Sequence, residues 1–80
     1  SGNAEVIEAD ALESAPVIGV PLQEAKLPRG VLVGALLREN QVIIPRGQTM
    51  IQTGDRVIIF SPKESIKAVE KLFSVAFGYF

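Results

Sequence analysis

The chain has 80 residues, 48% of them hydrophobic, and carries eight Lys+Arg against nine Asp+Glu for a net charge of −1. It contains no Cys, His or Trp, which excludes disulfides, thiolate nucleophiles and cysteine zinc or Fe–S sites, and removes the usual neutral-pH base and metal ligand. Balanced charge argues against bulk electrostatic binding of nucleic acid, and no apolar run approaches the roughly 20 residues that cross a bilayer.

A domain of this length buries only about 60–65% of its extended-chain surface. The hydrophobic content is high for so small a core, so an apolar face shared with a second layer or a partner is expected. Residues 1–3 read as an expression scar or a severed linker, and residues 4–80 as a single domain.

Residues 4–9 (AEVIEA) read as a short strand with one solvated face. The polar stretch 10–15 is a turn or a single helical turn, ended by Pro16. Pro21 suits the first turn of a helix, where a missing N–H costs nothing, and Pro28 stops it. The spacing of Leu22 and Ala25 predicts a helix of about two turns between them, too short to stand without tertiary support.

Residues 31–37 (VLVGALL) are apolar on both faces, which predicts a strand covered on both sides. The polar residues Arg38, Glu39, Asn40 and Gln41 form a break of hairpin length, and residues 42–44 form a second strand closed by Pro45. Residues 49–51 read as a short bridge, and residues 56–60 (RVIIF) as a third strand after the turn at Gly54 and Asp55. Ser61, Pro62 and Glu64 match a capping box at a helix start. Ile66, Val69, Leu72 and Phe73 then recur at helical spacing, with Lys63, Lys67 and Lys71 on the wet face. The aromatic tail, residues 74–80, is expected to dock on the domain or a partner. The predicted fold is α+β: a small, mostly antiparallel sheet with a short helix and a C-terminal helix, in the order β-α-β-β-β-α.

Few residues suit chemistry. The tripeptide Pro-Arg-Gly occurs twice, ending at Gly30 and Gly47. Two rigid turns with solvated arginines explain it; alternatively, Arg29, Arg46 and Arg38 surround one anion, because guanidinium forks suit phosphate or carboxylate. Asp55 reads as capping its own turn, since one carboxylate is far short of a hard-cation site. No metal site is expected. The glycines lack any phosphate-cradling spacing, and capping explains Ser61 without a Ser–Lys dyad. No catalytic residue stands out, and the expected class is a non-enzymatic docking or self-associating module, with a small anionic ligand as an option.

Several motifs occur in a recognisable order. Leu27-Pro28-Arg29-Gly30 precedes an apolar strand and Arg38. Val42-Ile43-Ile44-Pro45-Arg46-Gly47 follows, and then Gly54-Asp55-Arg56-Val57-Ile58-Ile59-Phe60. As a set they resemble the C-terminal domain of TrkA-type regulators of potassium conductance, the RCK-C or TrkA-C domain, over residues 4–80. The resemblance implies a cytoplasmic regulatory domain, peripheral to the inner face of the membrane through its transporter. Its partners would be further copies in a homodimer or ring and a Trk-type potassium transporter subunit, with no nucleic acid and no insertion into the membrane. NAD or ATP would bind an N-terminal domain that lies outside this chain. No cofactor is expected here, but cyclic di-AMP or another nucleotide is an option at the dimer interface. By position the ligand candidates are Arg29, Val31, Arg38, Ile44 and Arg46, with Val31 and Ile44 lining bases or the dimer core. Gly30, Gly47, Gly54 and Asp55 are structural turn marks. On this reading Arg38→Ala lowers anion affinity and leaves folding nearly intact. An alternative is a small-ligand sensor attached to a different carrier.

Overall fold

A computed structural model of the chain describes residues 4–74. Four strands, β1 (Ala4–Asp10), β2 (Leu32–Arg38), β3 (Gln41–Ile43) and β4 (Arg56–Pro62), precede a 3-10 turn (Lys63–Ser65) and one helix, α1 (Ile66–Phe73). The strands form one antiparallel sheet in the order β1-β4-β2-β3. The α+β class and its C-terminal helix are therefore as expected. None of the described helices is long and apolar enough to cross a membrane.

Alternation along the strands sorts the sheet into two faces. Ile7, Ala9, Val33, Leu36, Val57 and Ile59 point inward and join Ile66, Val69 and Phe73 of α1 in one core. Ala11, Ala15, Val17 and Ile51, from the connections, complete it. The helix has only eight residues, so packing of this face rather than intrinsic propensity holds it. The β2–β3 connection is as short as a hairpin allows. Arg38 pairs with Gln41, and Glu39 and Asn40 between them both take positive φ, at 51° and 65°, the backbone of a type I′ turn. The register of β2 against β4 slips between Val33 and Ala35. The extra residue is Gly34, where a Cβ would collide with the Phe60 ring.

Two expectations change. Residues 21–27 form turns, not a helix. Only Ala25 N–H reaches back four residues, to Pro21 O, while Leu22 and Gln23 donate across the chain to Thr49 O and Gly47 O. Those cross-chain bonds stitch the segment to the predicted bridge, which pairs as Ile18 with Ile51 and Pro21 with Met50.

The capping box at Ser61, Pro62 and Glu64 is not used. Ser61 lies within β4, paired with Glu5, and its Oγ donates to Pro62 O at 2.8 Å. Continued pairing with β1 carries the strand past the predicted start, so α1 begins at Ile66, after Ser65. Ser65 makes no side-chain cap bond and donates instead to Arg29 O at 2.9 Å.

The strand expected to be covered by a helix on one side and a second layer or subunit on the other is covered within the chain on its inner side. Val33 and Leu36 are buried, but Leu32 is 61% exposed on the outer face. The tail expected to dock lies beyond Ser74 and so outside the described residues.

Candidate functional site

The outer sheet face is the largest feature that the core does not explain. Val6 pairs with Phe60, which pairs in turn with Leu32, so three apolar side chains form a row across three strands. All three are exposed. Ile58 and Ala35 follow in the next row, then Leu37 beside exposed Val42. One corner is polar: Arg56 lies 3.2 Å from Glu8 and 3.4 Å from Asp10. Lone exposed apolar residues are ordinary, whereas a contiguous row with a charged corner marks a surface that meets another.

Arg38 stands at the end of β2 and points to the inner side. Its Nε and Nη2 donate to Asp55 Oδ1 and Oδ2 at 2.8 and 2.7 Å, a bidentate fork, and Nη2 also donates to Met50 O at 3.1 Å. Asp55 accepts the Gln52 N–H at 2.9 Å, so its expected turn-capping role is present. The pair ties the hairpin base to the 50–52 segment and to the start of β4. The Asp55 side chain is 2% exposed and that of Arg38 27%.

The hydrogen bonds from Arg38 hold the Asp55 carboxyl below its ordinary value of 3.8, against the opposing effect of burial, and the Gln52 N–H adds to the lowering. The bond to Asp55 likewise raises the Arg38 guanidinium. A depressed carboxylate contributes stability that is fully present above its unfolded pKa and lost as pH falls through the folded one. Urea midpoints of the wild-type chain should therefore fall more steeply than those of Asp55→Asn, which lacks that titration, as the pH drops below about 4. Parallel curves would show that Asp55 contributes nothing to the acid limb.

The other candidates are placed as follows. Arg29 lies in the turn three positions before β2 and Arg38 is the last of its seven residues, so a strand roughly 20 Å long separates them and one protomer does not bring them around one anion. Val31 is half-buried and packs against the core. Ile44 is 70% exposed. Gly30 takes a φ of 78° against the Pro62 ring, and Gly54 a φ of 93° in the turn before Asp55, so both serve as turn marks. Gly47 faces the Gln23 side chain. Arg46 is exposed and lines an open cleft of about 540 Å³ with Gln23, Gly47, Gln48 and Thr49. Thr49 Oγ1 accepts the Arg46 N–H at 2.9 Å, which fixes the turn that forms one wall.

Sequence reasoning missed the Arg38–Asp55 pair and the Gln23 wall. The partners of the pair stand 17 positions apart, and only the β2–β4 register brings them together. Gln23 reaches the cleft because its N–H is tied to Gly47 O, a contact that no local pattern encodes.

The fold is RCK-like. The solved structure of an RCK domain with cda superposes with a TM-score of 0.74, at 22% identity, covering 85% of this chain and 96% of that one. The chain itself belongs to the TrkA-C domain family, whose model matches residues 6–74. Among curated relatives, the Trk system potassium uptake protein TrkA of Azorhizobium caulinodans is 42% identical over 99% of this chain. TrkA homolog 2 of Methanosarcina mazei is 44% identical over 88%, and TrkA of Haemophilus influenzae 42% over 90%. The chain spans only 16–17% of the length of these relatives.

Proposed function

We propose that this chain is a regulatory and dimerisation domain of a Trk-type potassium uptake regulator. In this reading it has no catalysis of its own. It works on the cytoplasmic side as part of a homodimer or ring attached to a membrane transporter subunit, and passes ligand-induced domain movement to the pore. The observation that carries the proposal is the family match over residues 6–74, supported by relatives that are Trk potassium uptake proteins. The open apolar sheet face supplies a surface for assembly. A ligand shifts such an assembly only by its differential affinity for two arrangements.

For the ligand itself, Arg46 and Gln23 on the cleft are the better-placed candidates, and Arg29 is the second cationic position. Arg38 is a brace. Calorimetric titration with cyclic di-AMP, ATP, ADP and NAD tests this. At least one nucleotide should release heat and stabilise the chain, by about 2.7 kcal/mol at a hundredfold excess over Kd. Arg46→Ala should weaken that binding while leaving the unfolding free energy within about 0.5 kcal/mol, as expected of an exposed side chain. No heat and no stabilisation with any of the four would reject a nucleotide ligand for this domain.

A further inference from the structure

We infer that residues 75–80 (VAFGYF) pair antiparallel along the open edge of β1 in the same chain, adding a fifth strand to give the order tail-β1-β4-β2-β3. The segment is the occupant of an edge that the four described strands leave uncovered.

Among the described residues β1 has a strand neighbour on one side only. The direction of its free backbone groups follows from its end. Ala11 donates to Asp55 O at 2.8 Å and accepts from the Gly54 N–H at 3.0 Å, so Ala11 faces β4. By alternation Glu5, Ile7 and Ala9 also face β4, while Ala4, Val6, Glu8 and Asp10 turn their N–H and C=O to the open edge. Three carboxylates, Glu5, Glu8 and Asp10, guard that edge. Such charges repel a like-charged neighbour, but not a strand without charged side chains. Residues 75–80 carry no charged side chain, and their Val, Phe and Tyr favour strands.

The end of α1 puts this segment within reach. Ser74 takes a φ of 56°, the left-handed reversal that commonly closes a helix. Its Oγ donates to Ser14 O at 3.5 Å, and the Val17 N–H donates to Leu72 O at 3.3 Å. The exit of α1 is thereby fastened to the connection that leaves β1. A segment that starts there and follows the β1 edge runs from Asp10 toward Ala4, antiparallel to β1. Six extended residues cover roughly 20 Å, most of the length of the seven-residue strand. The other edge is β3, which has three residues and lies on the far side of the sheet.

The alternation of the segment suits the two faces it joins. Val75, Phe77 and Tyr79 share one side, and Ala76, Gly78 and Phe80 the other. The first set extends the exposed row Val6–Phe60–Leu32 by one strand on the outer face. The inner face is already occupied by α1, and there Ala76 and Gly78 need little room.

Amide exchange, read residue by residue on the full chain, tests the inference. The comparison is Phe77→Pro/Tyr79→Pro, which removes two N–H groups from the segment and leaves residues 4–74 unaltered in sequence. In the wild type the Val6 and Glu8 N–H groups should exchange about tenfold or more slowly than in the variant, at rates that do not change when the protein is diluted. Ile7 and Ala9, bonded to β4, should be equally protected in both chains, which shows that the variant is folded. Equal exchange at Val6 and Glu8 in the two chains overturns the inference. So does protection that fades on dilution, since it marks a contact between copies. A second measurement needs no variant. Tyr79 is the only tyrosine and the chain has no tryptophan, so tyrosine fluorescence reports this segment alone. Iodide should quench it less strongly in the native chain than in the urea-unfolded one. Equal quenching overturns the pairing, and this measurement decides if the proline variant fails to fold.

Discussion

Arg38→Met is expected to lower the unfolding free energy of the chain by about 3–5 kcal/mol, the range for breaking a buried ion pair from one side. The asymmetry of the pair sets the sign and the size. Asp55 is 2% exposed and keeps only the Gln52 N–H once the guanidinium is gone. A carboxylate so placed has neither water nor a counter-charge. The converse change is milder: in Asp55→Asn the amide keeps the shape and the acceptor for Gln52, and Arg38, 27% exposed, regains hydration. Urea denaturation followed by circular dichroism measures both variants. Since small domains have only about 5–15 kcal/mol in total, the Arg38 variant should be close to unfolding at 37 °C. A loss below about 1 kcal/mol would place the pair with ordinary surface ion pairs. This result also separates a brace from a ligand contact, and reverses the sequence-based expectation that Arg38→Ala spares the fold.

Phe73→Ala should cost a comparable amount, about 3–5 kcal/mol for removing a fully buried aromatic side chain. Phe73 is 1% exposed and closes the last turn of α1. The helix has three buried side chains, Ile66, Val69 and Phe73, so the substitution removes one of three anchors from an element that cannot persist without them. The damage should extend beyond the helix. Val17 N–H donates to Leu72 O at 3.3 Å, so the first connection is hung on the same turn. Amide exchange should accelerate at Val17 and Ile18 as well as along α1. Exchange confined to α1 would show that the connection is held by its own contacts.

The strands were legible because their apolar runs are bracketed by turn chemistry. The polar run from Arg38 to Gln41 between two apolar segments announces a hairpin, and Gly54-Asp55 announces the start of β4. The two local errors share one cause. Pro21 and Pro28 do bracket a helix-compatible stretch, and Ser61-Pro62 with Glu64 does match a cap. In both places the backbone found partners elsewhere, at residues 47–49 and on β1. Local pattern reports what a segment can form alone, and tertiary hydrogen bonds overrode it. The site was harder to read. Arginine spacing suggested convergence, but β2 holds Arg29 and Arg38 apart, and the buried partner of Arg38 lies on another strand's approach. The outer apolar face was legible as a surplus, without its position, because alternation assigns faces only after Gly34 and its register slip are known.

The seam between residues 19–23 and 47–51 has a separate consequence. Its fastening bonds run from the N–H groups of Gly19, Leu22 and Gln23 to the carbonyls of Ile51, Thr49 and Gly47. All are main-chain atoms, so the joint is indifferent to what the exposed side chains there are. Gln23, Arg46 and Gln48 project from it into the cleft. Those positions are interchangeable fittings on a fixed hinge plate. A lineage can exchange them, and with them the chemistry the cleft offers, without reopening the question of whether the chain folds.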